Sequence, residues 1–344
     1  MTFVPTPSIA KLTSALPFFL SILLIPIAIF SATVGGWAVL LLPVCTWYLF
    51  SIVDLFAGLN ESNADPQTPD DQLYWYRLIT MIWAPLQFVT IFGMLYYVTR
   101  ADHLAGWEQG FLFIGVGVIT GTVGINYSHE LMHQRPKIER QMGDALLAMV
   151  LYSHFRSEHL LVHHRYVGTP RDPVSAPFGE GFWQYWLMQA SFLLLALIIG
   201  DAWGLFLFSV QAFTAIFQLE LVNYIEHYGL TRKHLGNGKY EHVMPRHSWN
   251  SSLRASNWLL INLQRHSDHH YKPDRRFPLL QTYAAVEAPQ LPYGYPVMTL
   301  AVLSPTLWRR MMNPKVARWR DMYYPEITDW EPYRDGSLPL PKWL

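Results

Sequence analysis

The sequence is poor in charged residues and in cysteine. Charged residues make up 15% of the chain, whereas soluble domains contain roughly 25%. The formal net charge is +0, so no overall positive field favours a nucleic-acid partner. Cys45 is the only cysteine, which excludes a disulfide within the chain and any zinc or iron–sulfur site built from cysteines. Any metal chemistry must therefore use other side chains.

Hydrophobic residues make up 51% of the chain and are gathered in long runs. A helix needs about 20 apolar residues to cross a bilayer, and six stretches reach or approach this length. The sequence therefore predicts an all-α membrane protein, a bundle of six transmembrane helices in a single domain, residues 1–344. The predicted spans lie near residues 12–34, 37–57, 75–98, 108–128, 183–200 and 203–225.

The distribution of Lys and Arg predicts how the bundle is oriented. Of the 25 basic residues, sixteen follow residue 225 and six lie in 129–172, whereas only Arg100 falls in a loop of the opposite face. Basic loops stay in the cytoplasm. We therefore expect a multi-pass protein of the inner (cytoplasmic) membrane with cytoplasmic termini. Its histidine-rich cap, residues 129–182 and 226–344, is also expected to be cytoplasmic.

Nine of the 14 histidines fall into four short groups. The first group, in "HELMH" at 129–133, taken alone is typical of zinc peptidases, in which two histidines bind zinc and the glutamate is the general base. A peptidase would use two of the nine, and a zinc site has only four ligands. The full set predicts a larger metal site at the expected cytoplasmic face. The nine are His129, His133, His159, His163, His164, His227, His266, His269 and His270.

The spacing within the groups favours two metal ions. Residues three or four apart share a helix face, so each group can direct two or three imidazoles towards one point. The adjacent pairs His163–His164 and His269–His270 diverge by about 100° on a helix, which suits two neighbouring ions better than one. Imidazole binds iron, copper, nickel and zinc, so the ligand type alone leaves the metal open.

Four carboxylates beside these groups are candidates for the surroundings of the metals. Metal-bound histidines usually donate their second ring N–H to a carboxylate or carbonyl, which fixes the ring direction. This role is predicted for Glu130, Asp172, Glu226 and Asp268. Direct ligation or bridging by some of them is the alternative.

Four motifs, in this order, resemble those of the integral-membrane alkane hydroxylases (alkane 1-monooxygenases). They are "HELMH" at 129–133, "EHLLVHHRYVGTPRDP" at 158–173, "NYIEHYGL" at 223–230 and "LQRHSDHHYKP" at 263–273. The broader pattern of three histidine boxes is shared with membrane fatty-acid desaturases and hydroxylases. A fatty-acid desaturase or hydroxylase therefore remains an alternative. Position 132 is Met, as in the related xylene-type monooxygenases, so hydroxylation of alkyl-aromatic methyl groups is a further alternative.

The resemblance implies a six-helix bundle with a cytoplasmic di-iron site held by the nine histidines. It implies O₂-dependent hydroxylation of the terminal methyl of n-alkanes, with electrons from rubredoxin and an NADH-dependent rubredoxin reductase. An alkane has no polar group by which the protein could bind it. We therefore expect an apolar channel that is entered from lipid and ends at the irons. Aromatic residues of the second span, Trp47, Phe50 and Phe56, are candidate walls.

Overall fold

Four long apolar helices make up the first part of the chain in the computed structural model. They are α1 (Leu12–Val34), α2 (Gly36–Ala57), α3 (Asp70–Val98) and α4 (Gly106–Met132), and each is long and apolar enough to cross a membrane. Their bounds agree closely with the first four predicted spans. The chain is therefore a mostly helical, multi-pass membrane protein.

The structure describes residues 9–153, 155–159, 163–169, 202–334, 337–339 and 341. The fifth predicted span, residues 183–200, lies outside them. The sixth, 203–225, falls within a continuous helix, α8 (Ala202–His227), which is not among the four helices above. The total of six spans therefore stays a prediction.

Shorter elements follow the long helices. After α4 come α5 (Lys137–Ala148), α6 (Phe155–Glu158) and α7 (His164–Tyr166), and after α8 come β1 (His234–Gly236), β2 (Lys239–Tyr240), α9 (Arg254–Leu259), α10 (His266–Tyr271), α11 (Tyr295–Val302), α12 (Pro305–Tyr323) and α13 (Glu331–Arg334). The two strands pair antiparallel as a small hairpin. This hairpin departs from the all-α prediction, although the described chain remains mostly helical.

Helices α4 and α8 pack against each other through glycines. A Cβ atom on Gly117 would stand 2.5 Å from the Gln211 carbonyl oxygen, and one on Gly121 would stand 2.9 Å from the Ala215 Cα. Any larger residue would push the two helices apart, because small residues are what allow such close backbone approach in membranes. This packing brings together the two helix ends that carry His129 and His227.

A π-helical segment, Thr120–Ile125, interrupts α4 just before the HELMH motif. The helix α2 contains a similar segment, Cys45–Leu49. Such segments insert a wider turn and are frequent at functional sites. In α4 the wider turn changes the direction in which the following histidines point.

A buried ionic network fastens α3, α5 and the segment after α10 to one another. The Glu139 carboxylate is fully buried and accepts hydrogen bonds from Arg77 Nη2 at 2.6 Å and from Arg276 Nη1 at 2.8 Å. Arg276 also pairs with Asp70 at 2.8 Å. Because an unpaired buried charge is costly, the buried Glu139 and Arg276 each need the other. The network therefore fixes the segment that follows the fourth histidine group, residues 266–270.

The end of α8 is held by an aromatic core in the second half of the chain. Tyr224 and Tyr228 pack against Trp308 with ring centroids 5.4 and 5.3 Å apart. Trp249 donates its backbone N–H to the Glu226 carbonyl and its indole N–H to the Tyr228 carbonyl, both at 2.9 Å. These bonds satisfy carbonyls that a helix end leaves unpaired, and they fix the turn that carries His227.

Candidate metal centre

Nine histidines from four separate parts of the chain converge in two adjoining groups. The last turn of α4 places His129, and His133 follows directly after this helix. The region of α6 and α7 places three more, the last residue of α8 is His227, and α10 places the final three. The first group contains His129, His133, His159, His164 and His269, and the second contains His163, His227, His266 and His270. Within each group the candidate ligand atoms all lie within 4.8 Å of one another.

The first group is a cluster of five imidazoles whose Nε2 atoms face one another. The His159 Nε2 lies 2.6 Å from that of His129 and 2.9 Å from that of His164. The His269 Nε2 is 3.2 Å from the His164 Nε2. The His133 Nε2 is buried and has no hydrogen-bond partner among the described residues. All five rings therefore present nitrogen to one small volume.

The second group repeats this arrangement with four imidazoles. The His270 Nε2 lies 3.0 Å from the His163 Nε2 and 2.9 Å from the His266 Nε2. The His266 Nε2 is in turn 3.3 Å from that of His227. All four residues are buried.

The adjacent histidine pairs are divided between the two groups. His164 and His269 belong to the first group, whereas their neighbours His163 and His270 belong to the second. The ring centroids of His269 and His270 are 5.5 Å apart, so the groups adjoin. The side chains of each adjacent pair therefore point to different groups, as the sequence predicted.

One spacing differs from expectation. On an α-helix His159 and His163, four residues apart, would share a face, but His159 joins His164 in the first group. His159 and His163 have π-helical conformation, in which hydrogen bonds join residues five apart rather than four. The wider turn therefore aligns residues five apart.

The two groups fit metal ions. For a metal–nitrogen bond of about 2.1 Å, ligands at right angles stand about 3.0 Å apart, which is close to the 2.6–3.3 Å between the nearest Nε2 atoms. Burial lowers the pKa of His133 to about 3 and lowers those of His269 and His270 well below the usual value. At neutral pH these imidazoles are therefore uncharged, which is the form that binds metals.

The carboxylates predicted around the metals have different partners. Glu130 accepts a hydrogen bond from the Gln134 amide at 3.0 Å. Asp268, fully buried, accepts from Arg275 Nη1 at 2.5 Å, from the Gln281 backbone N–H at 2.9 Å and from the Tyr283 hydroxyl at 2.6 Å. Asp268 therefore holds the loop after α10, because its lone pairs are taken by that loop and not by an imidazole.

Glu226 differs from both, because its Oε2 lies 3.2 Å from the Nε2 of His266, the nitrogen that faces the other imidazoles. Among the described residues, none of the three carboxylates accepts a hydrogen bond from the second ring nitrogen of a histidine in the two groups. Asp172 lies outside the described residues. The surrounding role of the four stays a prediction.

A largely apolar pocket ends at both histidine groups. His129 and His159 of the first group and His266 of the second line one part of it. Most of the remaining lining comes from α2, α4, α8 and α11, and it includes Trp47, Ile125, Leu219, Val222, Thr299 and Phe155. Only helix packing links most of these positions, so no short motif in the sequence pointed to them.

The second-span aromatics have three different environments. Trp47 lines the pocket as expected. Phe50 is buried in the core of the helix bundle, whereas Phe56 is 86% exposed on the outside of the protein. Neither Phe50 nor Phe56 lines this pocket, so the expectation of a pocket wall is wrong for both: position 50 faces the core and position 56 lies on the outer face of α2.

Comparison with known proteins gives one matching family model and several relatives whose names state an activity. The fatty acid desaturase family model matches residues 103–200 and 180–301. Alkane 1-monooxygenase 2 of Pseudomonas aeruginosa is 33% identical over 82% of this chain and 85% of its own length. Alkane 1-monooxygenase 2 of Alcanivorax borkumensis is 32% identical over 92% of both chains. The hydroxylase component of a xylene/toluene monooxygenase from Pseudomonas putida is 25% identical over 60% of this chain.

The higher identity and coverage lie with the alkane enzymes. Identities above 30% over most of both chains are shared with relatives from more than one genus. Together with the histidine groups and the membrane helices, they establish that the chain belongs to the alkane 1-monooxygenase family.

Proposed function

We propose that the protein hydroxylates the terminal methyl group of n-alkanes with O₂, giving 1-alkanols, at two iron ions held by the nine histidines. The observation that carries the proposal is the pair of adjoining imidazole groups at the end of an apolar pocket. The relatives named alkane 1-monooxygenase support the reaction and the substrate class.

The histidine set favours iron over a single zinc. The first group would hold one ion with five imidazoles and the second would hold another with four, whereas zinc sites are almost always four-coordinate. When bound, the irons would supply the reductive activation of O₂ and the oxidation of the C–H bond, chemistry that no side chain provides unaided. The contribution of the protein is to place the substrate and to exclude water.

The pocket wall is arranged to bind a chain without polar groups. Trp47 Nε1 and Thr122 Oγ1 both donate to Gln218 Oε1, at 2.7 and 2.8 Å. Asn126 Nδ2 donates to the Leu260 carbonyl at 2.7 Å. Because these polar atoms are paired with one another or with the backbone, the wall that they form offers an alkane no unsatisfied group. Each methylene that leaves water for such a pocket contributes about 0.8 kcal/mol to binding.

We also propose how the protein lies in the membrane and which proteins supply its electrons. The excess of Lys and Arg after residue 225 and in 129–172 supports six spans in the inner membrane, with termini, cap and metal centre in the cytoplasm. Apolar substrate would enter from the lipid. Electrons would come from rubredoxin and an NADH-dependent rubredoxin reductase, as the resemblance to the alkane hydroxylases implies.

Methyl groups of alkyl-aromatics are the second candidate substrate, because a xylene/toluene monooxygenase component is a more distant relative. Whole cells that express the protein with a rubredoxin and its reductase can be given octane or p-xylene, and the products identified by gas chromatography. We expect 1-octanol, and much less of the aromatic alcohol, because the chain shares more identity with the alkane enzymes. Cells that lack the protein are the control.

Two results would contradict the proposal. One is conversion of p-xylene with octane left untouched. The other is a new double bond in membrane acyl chains without any hydroxylated hydrocarbon, which would indicate a desaturase.

A further inference from the structure

Glu226 is a buried carboxylate on the ligand side of the second histidine group. It precedes His227 in the last turn of α8 and is 2% exposed. Its Oε2 is 3.2 Å from the His266 Nε2. Its Oε1 is buried without a hydrogen-bond partner of good geometry among the described residues, and the Tyr295 hydroxyl lies beside the carboxyl group.

This carboxylate lacks the arginine partners that two other buried carboxylates have. Asp268 pairs with Arg275 and Glu139 pairs with two arginines. Among the described residues, the partner that comes within ion-pair distance of Glu226 is His266. A buried carboxylate without a cation or full hydrogen bonding is costly. A cation in the volume that the Nε2 atoms face would supply the missing partner.

The position of Glu226 fits a metal donor better than an outer partner. An outer partner would accept from the second ring nitrogen of a histidine, but the His266 Nδ1 has no partner among the described residues. The 3.2 Å between Glu226 Oε2 and His266 Nε2 is close to the spacing of about 3.0 Å between neighbouring ligands. Glu226 also lines the pocket, so it reaches the group from the substrate side.

We propose that Glu226 is the fifth donor of the second metal site. It stands at the edge of the four nitrogens, which are His163, His227, His266 and His270. The two sites would then have five donors each but differ in charge: five imidazoles in the first, and four imidazoles with one carboxylate in the second. This inference rests on the proposed function, since it presupposes that both groups hold metal.

Cobalt(II) tests the proposal, because its visible absorption bands report the number and kind of donors. Metal-free full-length protein in detergent is titrated with Co²⁺ for the wild type, for Glu226→Gln and for Glu220→Gln. Glu220 is a matched control: it is buried in the same helix and accepts from the Tyr152 hydroxyl at 3.0 Å. The wild type and Glu220→Gln are expected to bind two equivalents with the same spectrum.

Glu226→Gln is expected to bind one equivalent of Co²⁺ normally and the other more than about 100-fold more weakly. This loss exceeds the usual cost of removing a residue that only hydrogen-bonds to a metal ligand. Its bands at saturation should be shifted from those of the wild type. The retained equivalent shows that the variant is folded.

Three results would overturn these ideas in distinguishable ways. If saturated Glu226→Gln and wild-type spectra superimpose, Glu226 is an outer residue and only the inference fails. If Glu226→Gln loses both ions, the assignment to the second group alone is wrong. If the wild type itself binds fewer than two ions, the proposed two-metal function fails, and the inference with it.

Discussion

Alanine in place of His269 is expected to lower octane hydroxylation by more than about 100-fold, the upper end of what loss of an outer-shell partner costs. The His269 Nε2 is 3.2 Å from the His164 Nε2, and its ring centroid is 4.3 Å from that of His129. Its loss leaves the first group with four imidazoles and a void. The initial rate with saturating reduced electron carrier measures the effect, normalised to the amount of protein inserted in the membrane.

His103→Ala is the matched control for His269→Ala. His103 is exposed and its ring lies 3.1 Å from the Ala32 carbonyl oxygen, outside both histidine groups. The control is expected to keep nearly full activity and metal content. Activity of His269→Ala within tenfold of the wild type, in protein that inserts normally, would contradict the assignment of His269 as a ligand.

Tryptophan in place of Leu219 is expected to exclude long alkanes while sparing short ones. Leu219 lines the pocket on α8, seven residues before Glu226, which is about 10 Å along the helix. Alkanes that end before this position should react normally. For longer alkanes, each methylene that the larger side chain excludes from the pocket weakens binding by about 0.8 kcal/mol. This corresponds to a loss of about fourfold in kcat/KM. A series of n-alkanes of increasing length, assayed one by one, gives the profile.

Leu300→Trp is the matched control, because it makes the same substitution at a position outside the pocket. Leu300 lies on α11 and is 47% exposed, and it is not among the lining residues. Its chain-length profile should match the wild type. A Leu219→Trp profile that also matches the wild type would show that the substrate binds elsewhere.

Much of the fold and the centre could be predicted from local patterns. Long apolar runs gave the first four helices, because length and hydropathy alone decide whether a helix can cross a bilayer. The i, i+4 spacing of His129 and His133 placed both in one group, and the adjacent pairs at 163–164 and 269–270 were divided between the two groups. Each of these features depends only on helix geometry, which a sequence displays directly.

Other features depend on contacts between distant residues and were not predictable. The partners of Asp268 lie in a loop that folds back on it, residues 275–283. The π-helical conformation at His159 and His163 has no signature in the sequence. The orientation of Glu226 towards the His266 Nε2 depends on how α8 and α10 pack. For such features the sequence spacing identifies candidate residues of the metal site, but it does not predict the direction in which each side chain points.

The iron content of the purified protein tests the central claim most directly. The protein is produced with iron, isolated in detergent without added chelator, and analysed by elemental mass spectrometry against a protein concentration from amino-acid analysis. The two adjoining histidine groups predict about two irons per chain and little zinc. One zinc per chain with no iron would contradict the account and return the HELMH motif to its interpretation as a peptidase site.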